Sequence, residues 1–161
     1  MSMTSTEQQI ATVRAAWSQI PPPPPEDLKY LAWMCGDDAY RAFLGVAPVD
    51  VDISSPGFLR CMPLQDLPAP AAAAYLGTYM LSFLRGLRFQ EDMVVFYDIF
   101  TRAHLISCLE NANFWERVIR PHLPDECTRA LVEFCDYLAT QSEMLALTPE
   151  QIKQITTLAH A

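Results

Sequence analysis

The sequence predicts a mainly α, single-domain helical bundle, and three observations lead there. Apolar residues recur at intervals of three and four through most of the 161 residues, the spacing of one helix face. Acidic pairs before these stripes and Gly or Pro after them supply start and stop signals. The segment 67–84, LPAPAAAAYLGTYMLSFL, carries no charge and has its prolines only at the start, where proline suits a first helical turn. From 71 to 87 it reads as a buried central helix on which the others pack. About fourteen uncharged residues follow its prolines before Arg85, against the ~20 needed to span a bilayer.

Thr4 and Glu7 form a capping box ahead of Ile10, Val13, Trp17 and Ile20, so residues 1–20 are expected to hold an N-terminal helix. The prolines at 21–25 end it and act as a stiff polyproline connector within the single domain 1–161. A proline-ligand role wants a basic neighbour, and Glu26 and Asp27 follow instead. These two acids with Pro25 open a helix carrying Leu28, Leu31, Ala32 and Met34 and ending near Gly36. Asp37 caps a short helix through Tyr40, Phe43 and Leu44, closed by Gly45. Val49, Val51 and Ile53 then alternate with Asp50 and Asp52, which predicts a minor β-element near 49–53. Ser55 and Pro56 open a turn or short helix.

The central helix has two unequal faces. Ala72, Leu76, Tyr79, Phe83 and Leu87 mark the larger one. Ala74, Gly77, Thr78 and Leu81 mark a smaller one, where another helix can approach closely. The segment 91–109 is rich in β-branched and aromatic residues, but nineteen residues without Gly or Pro exceed a normal strand, and it is read as helix. Asn113 opens a short helix that Pro121 is expected to stop. Pro124 and Asp125 open another, with Cys127, Leu131, Phe134, Cys135 and Leu138 on one face. Thr148, Pro149 and Gln151 form a capping box ahead of Ile152, Ile155 and Leu158.

Two regions resemble an uncharacterised bacterial family of small helical proteins. One is 58–84, where Leu67-Pro68-Ala69 precedes an aromatic and aliphatic helix; the other comprises LPDECTRALVEFCDYLA and LTPEQIKQI. In that family an aromatic follows Leu-Pro-Ala directly, whereas Pro70 and four alanines intervene here before Tyr75. The resemblance implies an all-helical fold and a bacterial source, and brings no known activity. The use of only two lysines, Lys29 and Lys153, with abundant Ala and Pro, fits a GC-rich bacterial genome.

Half of the chain is hydrophobic and 19% is charged, below the ~25% of an average globular domain. The net charge of −8 argues against a nucleic-acid surface, which needs clustered Lys and Arg, and against binding to anionic membrane lipid. The five cysteines, Cys35, Cys61, Cys108, Cys127 and Cys135, are odd in number, form no Cys-x-x-Cys and sit in apolar surroundings. Small packed thiols of this kind suit a reducing compartment. The polar start of the chain shows no secretory signal, so a cytoplasmic location is expected.

Chemistry is thinly signalled. His104 and Cys108 are four apart and can face the same way as two metal ligands, but no second ligand pair accompanies them. Asp98 and Arg102 read as a surface ion pair, while Asp98 and His104, six apart, fall on different helix faces. The acidic pairs Glu26-Asp27, Asp37-Asp38, Glu91-Asp92 and Asp125-Glu126 each precede a predicted helix, where the macrodipole accounts for them. No Gly-x-Ser-x-Gly, phosphate loop or His-Glu-x-x-His occurs. The sequence therefore implies no cofactor and no catalytic residues. Its aromatics are expected mostly in the core, and the candidate partner surface is Asp37, Asp38, Tyr40, Arg41, Asp50 and Asp52, which combines exposed acid with an aromatic anchor. The expected function is a non-enzymatic protein–protein interaction module, most concretely an acidic immunity or antitoxin-like inhibitor of a basic toxin. Alternatives are a structural or adaptor subunit of a homo-oligomer, and an unrecognised enzyme or metal-binding protein.

Overall fold

A computed structural model describes the backbone of residues 5–88 and 95–161, and their side chains apart from 87, 88, 95–99, 143 and 144. The first helix, α1 (Ser5–Trp17), buries Val13, Ala16 and Trp17. It ends short of residue 20, because Ile20 precedes proline and is pushed out of the helical region; its N–H closes a turn on the Trp17 carbonyl at 3.0 Å. Thr4 of the expected capping box lies outside the described residues. The proline connector is extended, with Pro24 at φ −57° and ψ 146°, the polyproline II conformation.

Pro25 is the first residue of α2 (Pro25–Cys35), with Glu26 and Asp27 in its first turn. Gly36, at φ +95°, turns the chain directly into α3 (Asp37–Phe43); only glycine adopts that conformation without strain. No strand occurs among the described residues, and the expected β-element at 49–53 is instead a 3-10 turn (Pro48–Asp50) followed by a bend and a tight turn. Its alternation of burial is real: Val51 is buried, Val49 and Ile53 are half-buried, and Asp50 and Asp52 are exposed. A strand, however, needs a neighbour for its backbone groups. Here they are satisfied locally, Asp50 N–H by the Ala47 carbonyl at 2.9 Å and Ser55 N–H by the Asp52 carbonyl at 3.1 Å.

The short α4 (Pro56–Leu59) is capped by Ser55, whose hydroxyl accepts from Phe58 N–H at 3.3 Å. After it runs α5 (Ala69–Arg88), the expected central helix extended slightly at both ends, with Pro70 in its first turn. Then α6 (Val95–Leu109) makes the described part of 91–109 helical; residues 91–94 lie outside the described residues. Asn111, not Asn113, caps α7 (Ala112–Phe114), accepting from Asn113 N–H at 3.0 Å. Pro121 does not stop the helix that follows. Residues Trp115–Ile119 form a π-helical turn, with Arg120 N–H reaching the Trp115 carbonyl, and lead into α8 (Arg120–His122). The wider turn makes room for the proline ring that an α-helical turn would crowd. The remaining helices are α9 (Asp125–Thr140), α10 (Ser142–Leu145) and α11 (Pro149–Ala159). In the last, Thr148 and Gln151 make the reciprocal capping bonds at 3.0 and 3.1 Å.

Every residue of α5 from 71 to 84 is buried, which is what an uncharged helix requires of its surroundings. α1 crosses its small-residue face, where Gly77 accepts the indole of Trp17. Tyr75 packs edge-on to Phe43 at 4.7 Å and donates to the Phe43 carbonyl at 3.2 Å. Thr78 donates to the Pro48 carbonyl at 2.7 Å, fastening the 3-10 turn. On the far side Phe83 meets Phe134 of α9 at 5.6 Å. Among the described residues no helix is long and apolar enough to cross a membrane.

Candidate functional site

The aromatic residues are divided between core and surface by helix phase. Trp17 and Trp115 are 0% and 2% exposed, whereas Trp33 is 78% exposed. α2 buries Leu28 and Leu31, so Tyr30 and Trp33, three apart on the opposite side, turn outward. Their rings lie against each other, centroids 5.2 Å apart at 46°. The exposed Glu26 stands one turn before Tyr30 and Lys29 one turn before Trp33. Large aromatics are ordinarily drawn into the core; a pair held outside it is the most distinctive surface feature among the described residues. The sequence contains the signal, because residues 28, 31, 32 and 35 make the apolar stripe and 30 and 33 lie off it.

Four of the six residues of the expected acidic surface line two different clefts. Asp37 and Asp38 open α3 and line a cleft of about 180 Å³ with Cys35, Gly57 and Arg60. That cleft depends on close backbone packing: a Cβ at Gly57 would stand 2.5 Å from the Asp38 carbonyl oxygen. Asp50 and Asp52 line a second, larger cleft between α1 and α5, facing Arg14 and Arg85 over a floor that includes Leu81. Asp52 also accepts from the N–H and hydroxyl of Ser54 at 3.0 and 2.6 Å. Those bonds hold its carboxyl below the usual carboxylate range. Tyr40 is half-buried against the core and Arg41 is exposed in the last turn of α3; neither lines these two clefts.

His104 and Cys108 do face the same way, and both meet the segment between α4 and α5. The Nε2 of His104 accepts from Leu64 N–H at 3.2 Å, and the Gln65 amide donates to Cys108 Sγ at 3.7 Å. The pair thus latches α6 to this segment. Among the described residues no group of three or more His, Cys, Asp or Glu is placed to hold a metal ion. The side chain of Asp98 lies outside the described residues, and with it the two pairings considered for that residue. Arg102 lies with its guanidinium 6.0 Å from the Phe83 ring.

The latch has a pH signature. To accept from Leu64, Nε2 must be unprotonated. Burial lowers the His104 pKa from 6.5 to about 4, outweighing the opposing pull of Asp66. The unfolded state therefore binds the proton more readily, and stability is fully present above pH ~6.5 and lost as pH falls towards ~4. Between pH 7 and 5 the native chain should lose about 2 kcal/mol through this group. His104→Gln, whose amide oxygen can accept the same N–H, should remove that slope. Urea unfolding of both proteins at the two pH values measures it, and equal slopes would exclude the latch.

Compared with protein-family models, with curated proteins and with solved structures, the chain matches none of them.

Proposed function

We propose that this protein is a non-enzymatic interaction module whose contact surface centres on Trp33 and Tyr30 and whose partner is basic. The observation that carries this reading is Trp33, 78% exposed and seated against Tyr30. Exposed tryptophan and tyrosine are the residues that most often become binding hot spots once water is excluded around them. Their faces also attract Lys and Arg through cation–π contact. The acids Glu26, Asp27, Asp37 and Asp38 in α2 and α3 outnumber the cations Lys29 and Arg41, and the whole chain carries −8, so a cationic partner is steered towards it. A second copy of the chain would bring the same negative charge to the contact, which disfavours the homo-oligomer alternative. The most concrete form of the reading is an immunity or antitoxin-like inhibitor that covers a basic toxin surface.

Tagged native and Trp33→Ala chains should separate the readings. The native chain is expected to retain one basic protein from native lysate, in a salt-sensitive manner. Trp33→Ala should weaken that complex roughly 30-fold, the effect of losing a hot spot of about 2 kcal/mol. Retention of the same partner with unchanged affinity, or retention of none by the native chain, overturns the proposal. A mass above 18.1 kDa for the purified native chain that returns to 18.1 kDa in Trp33→Ala would assign the face to self-association instead.

A further inference from the structure

Two buried side-chain polar atoms among the described residues have no hydrogen-bond partner, Gln9 Oε1 and Arg102 Nε. A guanidinium N–H can only donate, and leaving such a donor buried with nothing to accept from it is costly. Arg102 lines a cavity of about 480 Å³ between α5, α6 and the connection from α10 to α11. That volume falls within the ~300–1,000 Å³ of small-ligand sites. The guanidinium rests over Phe83, with Cζ 6.0 Å from the ring centroid, and the ring is itself buried and edge-on to Phe134. An arginine stacked on an aromatic face presents its planar fork in a set orientation.

The rest of the lining is mainly apolar, with Phe83 and Ile106 from α5 and α6 and with Leu145 and Leu147 from the connection. The two leucines flank Ala146, whose φ of +53° lies in the left-handed region. The chain turns sharply there, and residues on both sides of the turn line the cavity. Glu110 is the other charged residue of the lining. It stands eight residues beyond Arg102, about 12 Å further along the direction of α6, with Ile106 midway between them. The cavity is thus cationic at one end, apolar in the middle and anionic at the other end.

We propose that this cavity binds a small monocarboxylic acid with an apolar body, its carboxylate on Arg102 and its tail directed towards Glu110. A carboxylate placed side-on to arginine accepts from Nε–H and one Nη–H in parallel, which gives Nε the acceptor that the protein withholds. A neutral oxygen can accept from Nε too, but without the charge that roughly doubles the strength of such a bond. The apolar body covers Ile106, Leu145 and Leu147 and removes their surface from water. Glu110 repels a second carboxylate at the far end, so a dicarboxylic acid of the same length is excluded. The lining shares no residue with the Tyr30–Trp33 face, and the inference goes beyond the interaction reading and does not rest on it.

Octanoate, titrated into the full native chain at pH 7, is the probe, read by calorimetry and by the arginine Nε–H signals of nitrogen-labelled protein. The expected result is saturable binding of a single octanoate. One Nε–H signal, absent from Arg102→Lys, should move downfield as the carboxylate accepts from it. The neutral analogue 1-octanol should bind at least ~10-fold more weakly, the effect of losing a charge-assisted hydrogen bond. Arg102→Gln should weaken octanoate by a similar factor and leave 1-octanol unchanged. Suberate, the dicarboxylate of the same length, should bind Glu110→Gln and not the native chain. Absence of saturable octanoate binding to the folded native chain overturns the proposal. So does 1-octanol bound as tightly as octanoate, which would make the cavity an apolar groove without carboxylate recognition. Both comparisons use the native chain alone, so the outcome stands even where Arg102→Gln folds poorly.

Discussion

Gly77→Ala is expected to destabilise the chain by about 3 kcal/mol, although alanine is the better helix former by ~1 kcal/mol. A Cβ at this position would lie 2.5 Å from two atoms of the Trp17 indole and 2.6 Å from a third. The ring cannot swing away, because Trp17 is 0% exposed. α1 cannot easily retreat either: the Ala16 carbonyl accepts from the Cys127 thiol at 3.2 Å, and Thr6 shares a hydrogen bond of 2.6 Å with Tyr137. Trp17→Ala alone should cost about 3–5 kcal/mol through the cavity it leaves. In the double variant the new methyl enters that cavity, so the combined loss should fall clearly below the sum of the two. Urea unfolding of the four proteins tests this. A Gly77→Ala chain as stable as the native one would mean that α1 and α5 are not in close contact there.

The small face of α5 was legible because Ala74, Gly77 and Thr78 share a helical stripe, a local pattern. Which side chain fills it was not legible. Trp17 belongs to an ordinary apolar stripe, and its contact to α5 joins residues 56 positions apart in the chain. The segment 49–53 divides in the same way. Alternation told correctly that Val51 is inside and Asp50 and Asp52 are outside, but whether the backbone is a strand depends on a partner strand that no local pattern reveals. Pro121 shows a local rule overridden locally, since the π-turn before it removes the crowding that makes proline a helix stop.

The candidate sites follow the same logic. Trp33 could have been found from the phase of α2, yet the general tendency of aromatics to be buried pointed to the core. Asp37 and Asp38 were correctly placed at a helix start, whereas Asp50 and Asp52, expected in a β-element, lie in and just after a 3-10 turn, and only the tertiary packing assigns the first two to one cleft and the other two to another.

Tyr79→Ala is expected to bring the chain close to unfolding, and comparison with Tyr79→Phe separates the reasons. The ring is 1% exposed, packed on Phe58 at 4.8 Å and edge-on to His104 at 5.4 Å. Its hydroxyl donates to the Cys61 carbonyl. The Phe variant keeps the ring contacts and leaves that buried carbonyl bare, a loss of about 1–3 kcal/mol. The Ala variant adds a cavity loss of about 3–5 kcal/mol, and the total approaches the whole stability of a domain, roughly 5–15 kcal/mol. Burial also raises the phenol pKa well above 10.0, so the folded state holds the proton more tightly than the unfolded chain. The stability carried by this group is therefore complete below pH ~10 and lost as pH rises beyond it. Tyr75, raised likewise by burial, adds to that alkaline loss. Tyr79→Phe should leave only the Tyr75 share, visible as a shallower fall in unfolding free energy above pH ~10. If Phe and Ala destabilise the chain equally, the hydroxyl rather than the ring holds α5 to this segment.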